Sequence, residues 1–172
     1  TTIMSAPAFA AIFTSCSTRF VSPVALFVYV NLILKAKKYV WIMTPYLILD
    51  EQLENALTLA AKSGIDVRII IPHIPDKKLV FELSKSYAEK LILSGVKIFE
   101  FAPGFVHSKT VLVDGNMATV GTVNFDYRSL YLHFENGVFL YKCDCLKDIE
   151  EAYHIFENKL DGVIKIAITM EG

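Results

Sequence analysis

Apolar and polar residues recur with two different periods along this chain, and the change of period divides it. Residues 1–28 show no clear period and read as a poorly specified segment. From Tyr29 the pattern sharpens: "YVNLILKAKK" fits a helix, and "YVWIMT" (39–44) is rich in β-formers and reads as a strand that Pro45 stops. Asp50 is a good N-cap for a helix whose inward positions Leu53, Leu57, Ala60 and Ala61 fall three and four apart, and Gly64 closes it. "IDVRIII" (65–71) is a strand ending at Pro72. A further helix is predicted from about Lys77 to Ser94, with Val80, Leu83, Tyr87 and Leu91 on its inner face. Gly95 ends it and "VKIFEF" is the next strand.

The back half keeps the strand period for longer. "VHSKTVLV", Asp114-Gly115 and "MATVG" read as a hairpin, because Asp-Gly suits a tight turn between strands. "ENGVFLYK" is a further strand, and Leu146, Ile149, Tyr153, Phe156 and Leu160 share one face of a last helix. The tail 161–172 has no anchoring pattern. Alternating helix and strand in front argues for a sheet with right-handed crossovers, and the hairpin adds antiparallel strands. The expected class is α/β (α+β): a mixed central sheet flanked by helices, in one domain over 29–160.

Composition sharpens this picture in three places. A chain of 172 residues buries about two-thirds of its unfolded surface and needs no disulfide or metal staple. Hydrophobic residues make up 53% and mean hydropathy is +0.43, apolar for a soluble domain. The longest apolar run, "PVALFVYVNLIL" (23–34), is too short to span a bilayer, and the N-terminus has no basic region of the signal-peptide kind. Cys16, Cys143 and Cys145 lack zinc-ligand spacing, and a reducing compartment is the plainer reading. The net charge of −1 supplies no global field for nucleic acid. Nor is there a basic, aromatic-interleaved stretch, so nucleic acid is not an expected partner.

The chemistry concentrates in "HSKTVLVDGNMATVGTVN", residues 107–124. On a strand, His107 and Lys109 share a face, where the ammonium would repel a metal ion but would attract developing negative charge on phosphate. Gly121 permits a sharp turn, and the Thr122 hydroxyl and Asn124 amide are donors that could complete an oxyanion cradle. Asp114 has the opposite strand parity and reads as a turn-stabilising residue. A nucleophilic imidazole needs its other nitrogen held by an acceptor, and Glu135 is the best-placed acid in sequence. A lone His-x-Lys pair is usually a solvated strand face. The ordered set is far more specific.

That set resembles the H-x-K-x4-D-x6-G-[ST]-x-N (HKD) motif of the phospholipase D superfamily. "AKKYVWIMTPYLILDEQLENALTLAAKSGIDVRIIIP", "SGVKIFEFAPGFVHSKT" and "NFDYRSLYLHFENGVFLY" are similar to the second, C-terminal half of bacterial cardiolipin synthases. The resemblance covers about residues 29 to 158 and implies a single phospholipase D-like domain. It implies that two motifs face each other across a pseudo-two-fold axis. One histidine attacks the phosphodiester and becomes a phosphohistidine, while its counterpart protonates the departing alcohol. His107 would be nucleophile or acid, Lys109 and Asn124 would bind phosphate with Thr122 assisting, Glu135 would orient His107, and Asp114 would brace the hairpin. Tyr46 of "TPY" (44–46) would sit at the pocket rim, where a Pro-stopped strand end explains it equally well.

The implied reaction moves a phosphatidyl group between two phosphatidylglycerols and releases glycerol, at a membrane surface on the cytoplasmic face of the bacterial cell, with no metal or other cofactor. Only one motif is present here. His73, His133 and His154 have no lysine two residues on, and Arg128 serves a structural ion pair as readily as a ligand. The second half-domain must therefore come from elsewhere in a longer chain or from another copy in a homodimer. A single-motif phosphodiesterase or endonuclease, or a non-catalytic half-domain, are the competing expectations.

Overall fold

The computed structural model describes residues 17–21, 24–74, 76–102, 104 and 106–158. Cys16 and the tail expected over 161–172 lie outside them. In chain order the front half runs β1 (Ser17–Val21), α1 (Val24–Lys35), β2 (Tyr39–Met43), β3 (Leu47–Ile48), α2 (Glu51–Lys62), β4 (Asp66–Pro72), α3 (Lys78–Leu93) and β5 (Lys97–Phe101). The back half runs β6 (Thr110–Val113), β7 (Met117–Gly121), β8 (Phe125–Asp126), a π-helical turn (Arg128–Leu132), β9 (Phe134–Tyr141) and α4 (Cys145–Asn158).

The main sheet has the order β1-β9-β7-β6-β2-β4-β5. β2, β4 and β5 are parallel neighbours, joined through α2 and α3, while β6, β7, β9 and β1 continue it antiparallel. β3 and β8 form a separate parallel pair. Alternation along each strand assigns two cores. Val40, Ile42, Val111 and Val113 face the cluster with α1 and α2; Met43, Leu112 and Ala118 face Leu146, Ile149 and Tyr153 of α4. The expected mixed sheet flanked by helices is the architecture observed.

Two elements differ from the sequence reading for physical reasons. α1 begins at Val24, ahead of Tyr29, because Ala25 and Leu26 extend the buried stripe of Tyr29, Leu32 and Ile33. The inner face of α3 is Ser84, Ala88 and Leu91, and Leu83 is 46% exposed. The Ser84 hydroxyl donates to Val80 O (2.9 Å) and accepts from Leu47 N (3.1 Å), so a small polar residue occupies the point where β3 meets the helix. An apolar periodicity passes over such a residue. The caps of α2 agree with expectation: Asp50 Oδ1 accepts from Leu53 N at 3.0 Å.

Candidate active site

The β6–β7 hairpin carries the motif, with Asp114 at one end and His107 and Lys109 at the other. At the turn, Asp114 and Gly115 both have positive φ (52° and 64°), and Asn116 N donates to Val113 O at 3.1 Å. This is the type I′ geometry that matches strand twist, and Asn and Asp tolerate it better than most side chains. The Asp114 carboxylate accepts from three successive amides after α1: Lys37 N (2.8 Å), Lys38 N (2.8 Å) and Tyr39 N (2.9 Å). It clamps the hairpin turn to the start of β2.

At the other end, His107 and Lys109 lie in segment 106–109, outside any regular element and ahead of the ladder, which begins at Thr110 opposite Met43 and Val120. Shared strand parity therefore does not order them. Lys109 reaches back instead, its Nζ donating to His107 O at 2.6 Å, while Gly121 N donates to Lys109 O at 3.2 Å. Partial burial, then the nearby Lys109 ammonium, hold the His107 imidazole below the ordinary histidine range, against an opposing pull from Asp76. Burial also lowers Lys109, while Glu135, Asp126 and Asp76 pull it back up. At neutral pH the His107 ring is thereby favoured in its neutral form, the form with a lone pair to attack.

Gly121 ends β7 against β9. A Cβ there would come within 2.3 Å of Asn136 O and 2.7 Å of Gly137 Cα, so backbone contact requires the glycine. That approach lets Thr122 N donate to Asn136 O (2.8 Å), with Asn136 N donating back to the Thr122 hydroxyl (3.0 Å). The hydroxyl's own hydrogen goes to Glu135 Oε2. In this structure Thr122 is thus a link that holds Glu135, not a free donor to a phosphate. The Glu135 side chain is 11% exposed, and its Oε1 lies 3.5 Å from His133 Nδ1, while Arg128 Nε donates to His133 Nε2 at 2.8 Å. Asn124 donates from Nδ2 to Ser129 Oγ (3.1 Å), and its Oδ1 is buried with no partner among the described residues. The amide still has one N–H uncommitted.

Tyr46 stands edge-on to the His107 ring, centroids 6.5 Å apart and planes at 80°. Thr44 places it: the buried Thr44 hydroxyl donates to Tyr46 O (2.9 Å) and accepts from Phe125 N (3.2 Å), tying the "TPY" bend to β8. The Tyr46 hydroxyl donates to Asp76 Oδ2 at 2.5 Å, and burial together with that carboxylate pushes the phenol up to about 12. Asp76, Asp126 and Ser129 were not singled out by the sequence. One signal was available for Asp76: "HIPD" follows the carboxyl end of β4, as Tyr46 follows that of β2, and such ends are where open α/β sheets bind ligands.

The Cardiolipin synthase, PLD-like domain family matches residues 29–158. This chain belongs to that family. It is 48% identical over 121 residues to a cardiolipin synthase of Geobacillus sp. (strain WCH70), covering 70% of this chain and 24% of that protein. It is 50% identical over 112 residues to a cardiolipin synthase of Halalkalibacterium halodurans, covering 65% and 22%. The chain thus spans about a quarter of the length of the curated relatives it matches. Among solved structures, Nuc from Salmonella typhimurium, a phospholipase D family member, superposes with a TM-score of 0.68 at 22% identity, covering 78% of this chain and 87% of that one. That likeness is one of fold. Among the described residues no helix is long and apolar enough to cross a membrane.

Proposed function

We propose that this chain supplies one half of a two-histidine phosphatidyl-transfer site of cardiolipin synthase type, converting two phosphatidylglycerols to cardiolipin and glycerol at a membrane surface. The observation that supports it is the clustering of His107, Lys109, Asn124 and the Thr122–Glu135 pair at one end of the hairpin, in a chain 48% identical to a cardiolipin synthase. In this reading His107 Nε2 or Nδ1 forms the bond to phosphorus as glycerol leaves with a proton from the partner imidazole. The primary alcohol of a second phosphatidylglycerol then displaces His107, returning its proton to that partner. Lys109 and the remaining Asn124 N–H neutralise the phosphoryl oxygens. Glu135, held by Thr122, orients the His107 imidazole in this reading, and Asp114 braces the hairpin.

One imidazole cannot attack phosphorus and protonate the leaving group in the same step. The charge around Lys109 makes the same demand, since Asp76, Asp126 and Glu135 all act on that single ammonium. A second half must bring further positive charge before a phosphodiester is held well. It comes from the rest of a longer chain, the reading favoured by the local match to cardiolipin synthases, or from a second copy. A single-motif homodimer would then act as a phosphodiesterase.

The test is phosphatidylglycerol turnover on vesicles, read as glycerol release and cardiolipin formation, with solution mass by light scattering on the same preparation. Turnover is expected from a dimer or from the chain joined to the N-terminal half, unaffected by chelator, and an isolated monomer is expected to be inactive. Wild-type-like turnover by His107→Ala would sink the assignment. Strong inhibition by chelator would point to metal chemistry instead.

A further inference from the structure

We propose that Asp76, tethered by Tyr46 beside His107, forms a subsite for the hydroxyl-bearing alcohol of the phosphodiester, and so sets the chain's preference for a polyol head group. This rests on the phosphodiester reading above and adds the residue that would select the substrate class.

Three observations carry it. Asp76 is solvent-exposed in the loop after β4, and Tyr46 is its one hydrogen-bond donor among the described residues, through Oδ2 at 2.5 Å. Its second oxygen therefore remains open to a ligand. Tyr46 also touches the candidate nucleophile edge-on, so carboxylate, phenol and imidazole form a continuous wall. Finally, the Asp76 charge acts on both His107 and Lys109, the two groups assigned above to the phosphoryl group.

A bare carboxylate beside a phosphate-binding lysine opposes an anionic ligand unless something between them donates hydrogen bonds. A glycerol moiety does so: one hydroxyl can donate to the open Asp76 oxygen and another can donate to the Tyr46 oxygen. A carboxylate-bearing head group such as serine's would be repelled. An ammonium head group would satisfy Asp76 but would meet the Lys109 ammonium, which already shares that carboxylate's field. Hydroxyl donors are the chemistry that suits all three groups. Asp76 is here a binding residue for the alcohol, not an agent of the phosphoryl step.

The experiment compares three soluble diesters on the whole chain by NMR, following the His107 ring: glycerophosphoglycerol, glycerophosphoethanolamine and diethyl phosphate. Wild type should bind glycerophosphoglycerol about tenfold or more tighter than diethyl phosphate, the advantage of a hydrogen bond to a charged acceptor. Asp76→Asn should reduce that ratio about tenfold, and Tyr46→Phe should reduce it in the same direction. The ratio is the readout because removing a negative charge strengthens the binding of every anion. Equal affinity of wild type for glycerophosphoglycerol and diethyl phosphate overturns the subsite while leaving the phosphodiester reading standing. Tighter binding of glycerophosphoethanolamine overturns it in favour of a cationic head group. No response of His107 to any diester overturns the phosphodiester reading and the subsite with it.

Discussion

The two ends of the β6–β7 hairpin belong to one motif and have opposite characters. At the turn, Asp114 accepts from three backbone amides and is committed to the joint between α1 and β2. At the open end, His107 is exposed, Lys109 curls onto a carbonyl, and the buried Asn124 oxygen has no partner among the described residues. Saturated polar groups stabilise, whereas an exposed imidazole beside an ammonium is placed to meet an anionic ligand. A motif read as a single functional string therefore mixes a brace with a reactive site, and the four residues of β6 fix the distance between them.

The sharpest way to separate the ends is to delete one side chain from each. His107→Ala should lower phosphodiester turnover about 10⁴-fold or more in the two-histidine assembly. Because the side chain is exposed, unfolding free energy should stay within about 0.5 kcal/mol of wild type. A His107→Ala protein that loses stability while keeping turnover would reverse the assignment of the two ends.

Gly121→Ala attacks the junction between them. The added methyl meets backbone, at 2.3 Å from Asn136 O, so β7 and β9 must part. We expect a loss of about 3 kcal/mol or more, read from the urea midpoint, or a failure to fold. A folded Gly121→Ala protein should show a displaced Thr122–Glu135 contact in its amide spectrum. A wild-type spectrum would mean that the close approach is not needed.

How far these parts could be read from sequence follows their physics. The Asp-Gly turn and the Asp50 cap are local rules, and each appeared where expected. Gly121 was expected for a sharp turn, but what requires it is the backbone of β9, and its φ is not positive. The turn role of Asp114 was legible from parity, but its three amide partners, more than seventy residues upstream, were not. His107 and Lys109 were identified as residues but misread as strand neighbours, because a ladder's first rung depends on partners from β2 and β7. Thr122 was read as a free donor because its acceptor arrives on another strand. Asp76 carried no local signal beyond its place after β4. Such pairings become visible only when distant loops share one end of a sheet.

Asp114→Ala should cost about 2–3 kcal/mol, combining lost charge-assisted hydrogen bonds with a non-glycine residue left at positive φ. Asp114→Asn should recover part of it, since one oxygen remains to accept. Turnover per folded molecule should fall far less than for His107→Ala. A variant whose stability is untouched but whose turnover collapses would move Asp114 into the chemistry.

The smallest effect is electrostatic and confined to the open end. Lys109→Met removes an ammonium that disfavours the imidazolium, so the His107 titration midpoint should rise toward the ordinary histidine value of 6.5. Asp76→Asn should move it the other way. The sign carries over to stability. A histidine depressed on folding contributes fully above its unfolded value and loses that contribution as pH falls through the folded one. Wild type should thus lose stability below pH 6.5, and Lys109→Met should lose less there. Ring resonances followed across pH, with urea midpoints on either side of that value, test both statements. If burial alone set the titration, the two substitutions would leave the midpoint where it is, and the open end would be ordered by packing instead of charge.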